Sequence, residues 1–377
     1  MIVTFVCPSA PHPIGGVTAL YEFANGLARR GHDVHLVHAP FFRNRIASLD
    51  DLAWFRFEPT VHHHLLEPGD PMPAADICFG TSGDPIHGLP VVLVQGFEML
   101  HIGLERAGFR TRALKVCIAS WLVEVGERFG VPAEQFEVVH MGIDHSRYRV
   151  MIPPEDRGPV VGMLYSTHEA KGSDMGLAAL ARVREQVPNL EVLAFGTSAP
   201  SEPLPPWVDL TIDPDQEVLV RNLYNRCAVF VQPSHREGFG FTAVEAMACG
   251  AALATTDNGG SRDYAYPDRT ALISPPGDAD ALAANVVALL RQRELRLRLA
   301  HAGRDLVTTF TWDQAAADLE ACLERYLADP EAYQHEPLPE PEGAWDGVDW
   351  WALSPANAQP GAEDPGAASR AARSASK

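Results

Sequence analysis

Lysine is nearly absent from this 377-residue chain: Lys115, Lys171 and Lys377 are the only three, and arginine carries the rest of the basic charge. Acids outnumber bases by 49 to 30, a formal net charge of −19. That surplus excludes nucleic-acid binding by phosphate neutralisation. It also excludes general attraction to an anionic bilayer, so only a local basic patch could bring the chain to a membrane surface. Apolar runs are short, none near the ~20 residues of a membrane span. The amino terminus has no basic n-region and opens directly on a strand, so the expectation is a cytoplasmic protein without a signal peptide. The six cysteines, at 7, 78, 117, 227, 249 and 322, are scattered and form no CxxC pair. They read as buried free thiols in a reducing compartment. Metal-ligand groupings are missing too. His62-His63-His64 cannot all face one ion from a regular element, and Asp213-Pro214-Asp215 stands where a helix begins and reads as a cap. Neither a metal nor a cofactor is expected.

What the chain has is the composition of a soluble globular protein, 46% hydrophobic and 21% charged, and enough length for two domains. Its most informative stretch runs from Val229 to Asp263, VFVQPSHREGFGFTAVEAMACGAALATTDNGGSRD. Val229 to Val231 is a short β-rich run ended by Pro233-Ser234. Glu237 follows in a loop with Gly238 and Gly240, and a helix begins near Phe241-Thr242, with Glu245 in its first turns. Gly250 closes that helix as a left-handed cap. Ala251 to Thr256 is the next strand, broken by Asn258-Gly259-Gly260. Glycine lets bare N–H groups approach a ligand, and a helix start adds donors and partial positive charge suited to phosphate. Carboxylates repel phosphate but accept hydrogen bonds from hydroxyls. Both features together suit a nucleotide sugar. The run Gly238-x-Gly240-x-x-Ala243, with Asp257 ending the next strand, imitates a dinucleotide fingerprint. Ser234 to Glu237 intervene between strand and first glycine, however, which argues against a nicotinamide enzyme.

The block Glu237-Gly-Phe-Gly-Phe-Thr-Ala-Val-Glu245-Ala-Met-Ala-Cys-Gly250 resembles the E-x7-E signature of retaining family-4 glycosyltransferases. The resemblance spans roughly residues 1 to 328. It implies the GT-B fold: α/β, two Rossmann-like domains with parallel sheets facing a cleft, and a C-terminal helix crossing back to the N-terminal domain. It implies transfer of a sugar from a nucleoside-diphosphate sugar to a hydroxyl acceptor without a metal, with Glu237 on a hydroxyl of the transferred sugar and Glu245 on the ribose. Gly238, Phe239, Gly240, Phe241 and Thr242 would receive the donor diphosphate, and Gly196, at the end of the Glu191–Phe195 strand, would lie near the base. Lys171-Gly172 matches the Lys-Gly of the family's R-x4-K-G motif, in a loop that includes Ser166. The motif's arginine is missing, with Met163 in its expected place, and Arg236 or Arg262 is the candidate substitute.

The first half reads as a βαβ unit: strand Ile2–Cys7, Gly15-Gly16, helix Val17–Arg30, strand Val34–His38. By resemblance Gly15-Gly16 faces the donor phosphates and acceptor. Gln95 occupies a position where many relatives have an acceptor-side histidine, and His101 is nearby. Met141-Gly142-Ile143-Asp144 resembles the family's segment before the interdomain linker. The expected division is an acceptor-side domain over 1–152, a proline-rich linker over 153–159, a donor domain over 160–310, a crossover helix over 311–329 and a disordered tail over 330–377. The tail carries eight acids against three bases over 331–377, with Trp345, Trp350 and Trp351. Two other readings stand beside the transferase. One is a non-catalytic sugar-nucleotide binder or the inactive partner of a paralogue, motivated by Gln95 and the missing arginine. The other is a sugar-nucleotide epimerase on the same fold.

Overall fold

The computed structural model describes residues 1–38, 46–67, 70–80, 87–97 and 102–334. His101 and the three tail tryptophans lie outside the described residues. The first half forms a parallel sheet from β1 (Ile2–Val6), β2 (Asp33–His38), β3 (Val61–Leu65), β4 (Ile77–Phe79), β5 (Leu89–Val94), β6 (Leu114–Cys117) and β7 (Phe136–Val138), in the order β3-β2-β1-β4-β5-β6-β7. The second half forms another from β8 (Val160–Leu164), β9 (Glu191–Gly196), β10 (Val208–Ile212), β11 (Val229–Gln232), β12 (Ala252–Thr256) and β13 (Ala271–Ser274), in the order β10-β9-β8-β11-β12-β13. All pairings are parallel. Such sheets are covered on both faces by crossover helices, which is why β1, β11 and β12 read as nearly unbroken apolar runs. In each sheet the strand order reverses once, between β1 and β4 and between β8 and β11. Open α/β sheets bind ligands at that point, beyond the carboxyl ends of the strands.

The helices are α1 (Gly15–Arg29), α2 (Ile102–Arg110), α3 (Trp121–Arg128), α4 (Ser173–Gln186), α5 (Gln216–Leu219, continuing as a π-turn over Val220–Tyr224), α6 (Phe241–Ala248), α7 (Ala279–Arg291), α8 (Arg293–Val307) and α9 (Trp312–Ala328). Thr311 caps α9, its hydroxyl accepting from Gln314 N. Helix α9 returns to the first half, where Ala315, Leu319, Leu323 and Tyr326 join the core built on Val3, Phe5, Tyr21 and Leu36. Its close approach needs Gly26: a Cβ there would lie 2.5 Å from that of Ala316. This is the two-sheet architecture with a returning helix that the resemblance implies.

Two expectations need correction, and two stretches gain detail. Gly15 and Gly16 belong to the first turn of α1, capped by Ile14, and not to a loop before it. The histidine triplet is edge strand β3, pairing His62, His63 and His64 with His35, Leu36 and Val37 of β2. Its acidic neighbour comes from that partner strand: Asp33 Oδ1 lies 3.3 Å from the Nε2 atoms of both His35 and His62. Even so, no group of three or more potential ligands among the described residues could hold a metal. Pro330–Tyr333, inside the expected tail, forms a 3-10 turn. Buried Tyr333 packs on Tyr326 at 5.3 Å between ring centroids. Finally, the 153–159 stretch is pinned. Buried Arg157 donates to the carbonyls of Ile152, Tyr224, Cys227 and Cys249. Five carbonyl-directed N–H groups on a planar guanidinium let one side chain gather four segments.

Candidate functional site

The carboxyl ends of β1, β5, β8 and β11 bring the motif residues to one crevice. Strand β11 ends at Gln232, and Pro233-Ser234 turns the chain into the glycine loop. Glu237 is held in that loop by its backbone, with N donating to Asn258 O at 2.9 Å and O accepting from Gly260 N at 3.2 Å. Its buried carboxylate accepts from Ser234 Oγ at 2.7 Å and from Lys171 Nζ at 2.8 Å. Lys171 arrives on a short turn that ends in left-handed Gly172, φ 61°. A Cβ on Gly172 would meet Pro233 O at 2.2 Å, so glycine is what lets the β8 loop lie against the β11 loop. The cation and the first motif acid are therefore one ion pair, deeply buried on the acid's side and half-exposed on the lysine's.

Across the crevice, the first sheet meets the glycine loop directly. A Cβ on Gly238 would fall 1.9 Å from Gln95 O, and one on Gly16 would fall 2.5 Å from Gln95 Oε1. Gly15 faces the Phe241 ring in the same way, at 3.4 Å. Gln95 thus sits between the first turn of α1 and the loop before α6. Gly240, φ 100°, caps α6 without a side-chain bond, so the N–H groups of that helix start receive no cap from a side chain. Phe239 turns its buried ring away into a cluster with Tyr264 and Phe310, both at 5.6 Å. Thr242 stands half-buried in the first turn of α6. Gly196 closes β9, where a Cβ would meet Tyr165 O at 2.5 Å.

The second motif acid, Glu245, is half-buried one turn into α6. The Tyr224 hydroxyl donates to it at 2.8 Å, and the buried Tyr148 side chain faces it. Burial pushes its carboxyl up to about 7 against the pull of the two tyrosines and of Arg147. Burial likewise raises Glu22 on α1 to about 7, with Arg29, Asp144 and Arg147 as its charged neighbours.

Of the arginine candidates, Arg262 is committed elsewhere: it donates to Asp257 at 2.8 and 3.3 Å and lies 3.6 Å from Glu124 of α3. Arg236 is half-buried, its backbone N bonded to Ala170 O at 3.1 Å. Met163 is fully buried inside β8. Counting the R-x4-K spacing back from Lys171 reaches Ser166, just past the end of β8, whose N–H is bonded by Ser173 Oγ at 2.8 Å.

Sequence reading missed the contacts that join the halves. Asp263 accepts from Ser120 N at 2.8 Å and from Ser120 Oγ, at the start of α3, and lies 3.2 Å from His140 Nε2. Trp121 Nε1 donates to Gly238 O at 3.0 Å, and its ring closes over Gly259. It missed the two tyrosines on Glu245 too. Only Ser234 had a local signal, a hydroxyl three residues before a loop acid.

Residues 147–306 match the family described as Glycosyl transferases group 1. Among curated proteins, the glycogen synthase of Mycobacterium tuberculosis is 29% identical over 246 residues, 61% of this chain and 56% of its own length. The capsular polysaccharide biosynthesis glycosyltransferase CapM of Staphylococcus aureus is 25% identical over 55% of each chain. The chain spans about half the length of the curated relatives it matches. Among solved structures, a sucrose-phosphate synthase from Thermosynechococcus elongatus superposes with TM-score 0.70 at 18% identity, covering 87% of this chain and 99% of that one. HepE of Anabaena, solved in complex with UDP-glucose, gives TM-score 0.68 at 15% identity, covering 86% and 100%. The fold is GT-B.

Proposed function

We propose that this protein is a glycosyltransferase that moves a sugar from a nucleoside-diphosphate donor to a hydroxyl of a saccharide, lipid-linked or natural-product acceptor, with retention and without a metal. The observation that carries the reading is the buried Lys171–Glu237 pair beside the α6 helix start, directly opposite Gly15, Gly16 and Gln95. Departure of the nucleotide is the step in need of help, because the diphosphate gains charge. The Lys171 ammonium and the first N–H groups of α6 are aimed where that charge develops. Glu237 is suited to accept a hydroxyl of the transferred sugar while keeping the lysine oriented. Glu245 is suited to the ribose. Retention follows where the acceptor attacks the face the nucleotide leaves, with a leaving phosphate oxygen taking the acceptor proton. The group 1 match over 147–306 and the UDP-glucose bound by HepE support this reading.

The test is a panel of nucleoside-diphosphate sugars without acceptor. Slow donor hydrolysis is expected from the protein. Glu237→Gln should abolish it while nucleotide binding persists, and the released or transferred sugar should keep its anomeric configuration by NMR. Binding without any turnover, in every donor and acceptor tried, would instead favour a non-catalytic sugar-nucleotide binder. Gln95 and the missing motif arginine motivate that second reading. Altered sugar stereochemistry in the recovered donor would point to an epimerase.

A further inference from the structure

Glu245 does not stand alone on α6. Its carboxylate accepts from the Tyr224 hydroxyl at 2.8 Å, and Tyr148, from another part of the chain, faces it beside the Tyr224 ring. Tyr224 is fully buried and ends the π-turn Val220–Tyr224, where its ring meets Tyr148 at 6.2 Å, Phe195 at 5.8 Å and Phe230 at 5.6 Å. Single π-turns inside helices recur at functional sites, and this one aims a phenol at a motif acid. Tyr148 is buried and belongs to the segment that has just left the first domain. Its N–H closes a turn onto Asp144 O at 2.8 Å.

That segment is fastened on both sides. Before it, Ile143 bridges Thr311 and its N donates to Phe310 O at 3.1 Å, so the two chain crossings between the sheets lie side by side. After it, Asn225 next to Tyr224 takes Met151 N at 2.6 Å and Ile152 N at 3.2 Å on its Oδ1 and donates to Arg149 O at 3.1 Å. Arg157 then ties Ile152 to Tyr224, Cys227 and Cys249, the last at the carboxyl end of α6. Residues 148–157 are thus locked to the elements that carry Glu245, and any hinge lies on the amino-terminal side of Tyr148.

We infer that Tyr148 and Tyr224 are positioning residues for donor binding, holding the Glu245 carboxylate in the orientation that grips the ribose hydroxyls. This rests on the proposed nucleotide-sugar site. A carboxylate has about four lone-pair directions, so two tyrosines leave room for two vicinal hydroxyls while removing rotamer freedom. The groups facing Glu245 are Tyr148, Tyr224, Arg147 and Cys249, and Tyr224 donates a hydrogen bond to it.

The test uses the full chain, with nucleoside diphosphates as probes in calorimetric titrations: UDP, ADP and GDP, and the 2′,3′-dideoxy analogue of whichever binds. Phenylalanine is isosteric apart from the hydroxyl, so Tyr148→Phe and Tyr224→Phe should keep their circular dichroism. Each should weaken the ribonucleotide about five- to tenfold, the net scale of one ordinary hydrogen bond. The dideoxy analogue should bind protein and variants alike. Losing a donor raises the Glu245 carboxyl further, so the midpoint of affinity against pH should also move upward in each variant. Equal weakening of the dideoxy probe, or no weakening of the ribonucleotide, would overturn the inference while leaving the nucleotide site intact. No binding of any nucleoside diphosphate to the unmodified protein would overturn the proposed site itself.

Discussion

Glu245 and Lys115 show how single buried charges leave signatures that do not depend on knowing the substrate. The Glu245 carboxyl is raised to about 7 in the folded protein, from an ordinary value of 4.5. Between those values the native state holds a proton that the unfolded chain has released, so stability is lost as pH rises through the window. Glu245→Gln removes this term. Denaturant unfolding at pH 5 and pH 8 should therefore show the variant gaining on the unmodified protein as pH rises; a pH-independent difference would contradict the burial assignment. Lys115 has the opposite chemistry. Fully buried in β6, its ammonium donates to the carbonyls of Thr111 and Ala113 and to Gln135 Oε1, and burial pushes it down to about 7. Its three acceptors match the three donors of an ammonium. Lys115→Met should cost about 2–3 kcal/mol in an unfolding titration, because buried acceptors lose their partner. A change under ~0.5 kcal/mol would mean those carbonyls find other donors. Glu237, Lys171 and the glycines between them could be read from the sequence because they sit in one contiguous loop-helix pattern. Tyr148, Tyr224 and Asp263 could not, since their partners are set by which strands become neighbours.

At the scale of elements, local signals identified the buried strands and failed at the margins. β1, β11 and β12 are apolar, bounded by Pro or Gly, and central in their sheets. β3 and β10 are edge strands with half-exposed, partly polar faces, so their periodicity is weak, and α2 lies in a polar stretch with arginine at its end. β3 is held to β2 by paired imidazoles: His35 Nδ1 to His64 Nε2 at 2.8 Å and His38 Nε2 to His63 Nδ1 at 3.1 Å. One ring donates and the other accepts in each pair, so neither pair survives double protonation. Burial, joined by neighbouring histidines, pushes His38 down to about 3 and holds His63 and His64 below their ordinary range. Protons then bind the unfolded or detached strand more tightly than the native one, and stability falls as pH drops below about 6.5. Hydrogen exchange, corrected for intrinsic rates, should show β3 losing protection between pH 7.5 and pH 5.5 while β6 keeps it. Uniform behaviour of the two strands would remove the imidazole ladder as the cause.

For the whole molecule, the question is what holds two sheets against one site. The chain crosses between them twice, at Ile143 and at Thr311, and these crossings are paired, which favours rotation about a shared line over free tumbling. Distal to that line, the Gly259–Asp263 turn docks on the start of α3. Asp263 takes both polar groups of Ser120, an acid at a helix N-terminus where its charge is favoured, and Arg262 faces Glu124. Trp121 closes the same seam onto Gly238, the residue after Glu237. These contacts bring the first sheet against the loop that carries Glu237, and in the proposed transferase such contacts would keep water from competing as acceptor. Asp263→Ala removes the helix-start acid without disturbing either sheet, so the secondary structure should persist while the halves separate. Small-angle scattering should report a larger radius of gyration for the variant than for the unmodified protein, and a bound nucleotide sugar should shrink the difference. On the proposed transferase reading, the same variant should hydrolyse a larger share of its donor relative to transfer. An unchanged radius with unchanged partition would mean that Trp121 and the paired crossings alone keep the crevice closed, and that Asp263 serves only to cap α3.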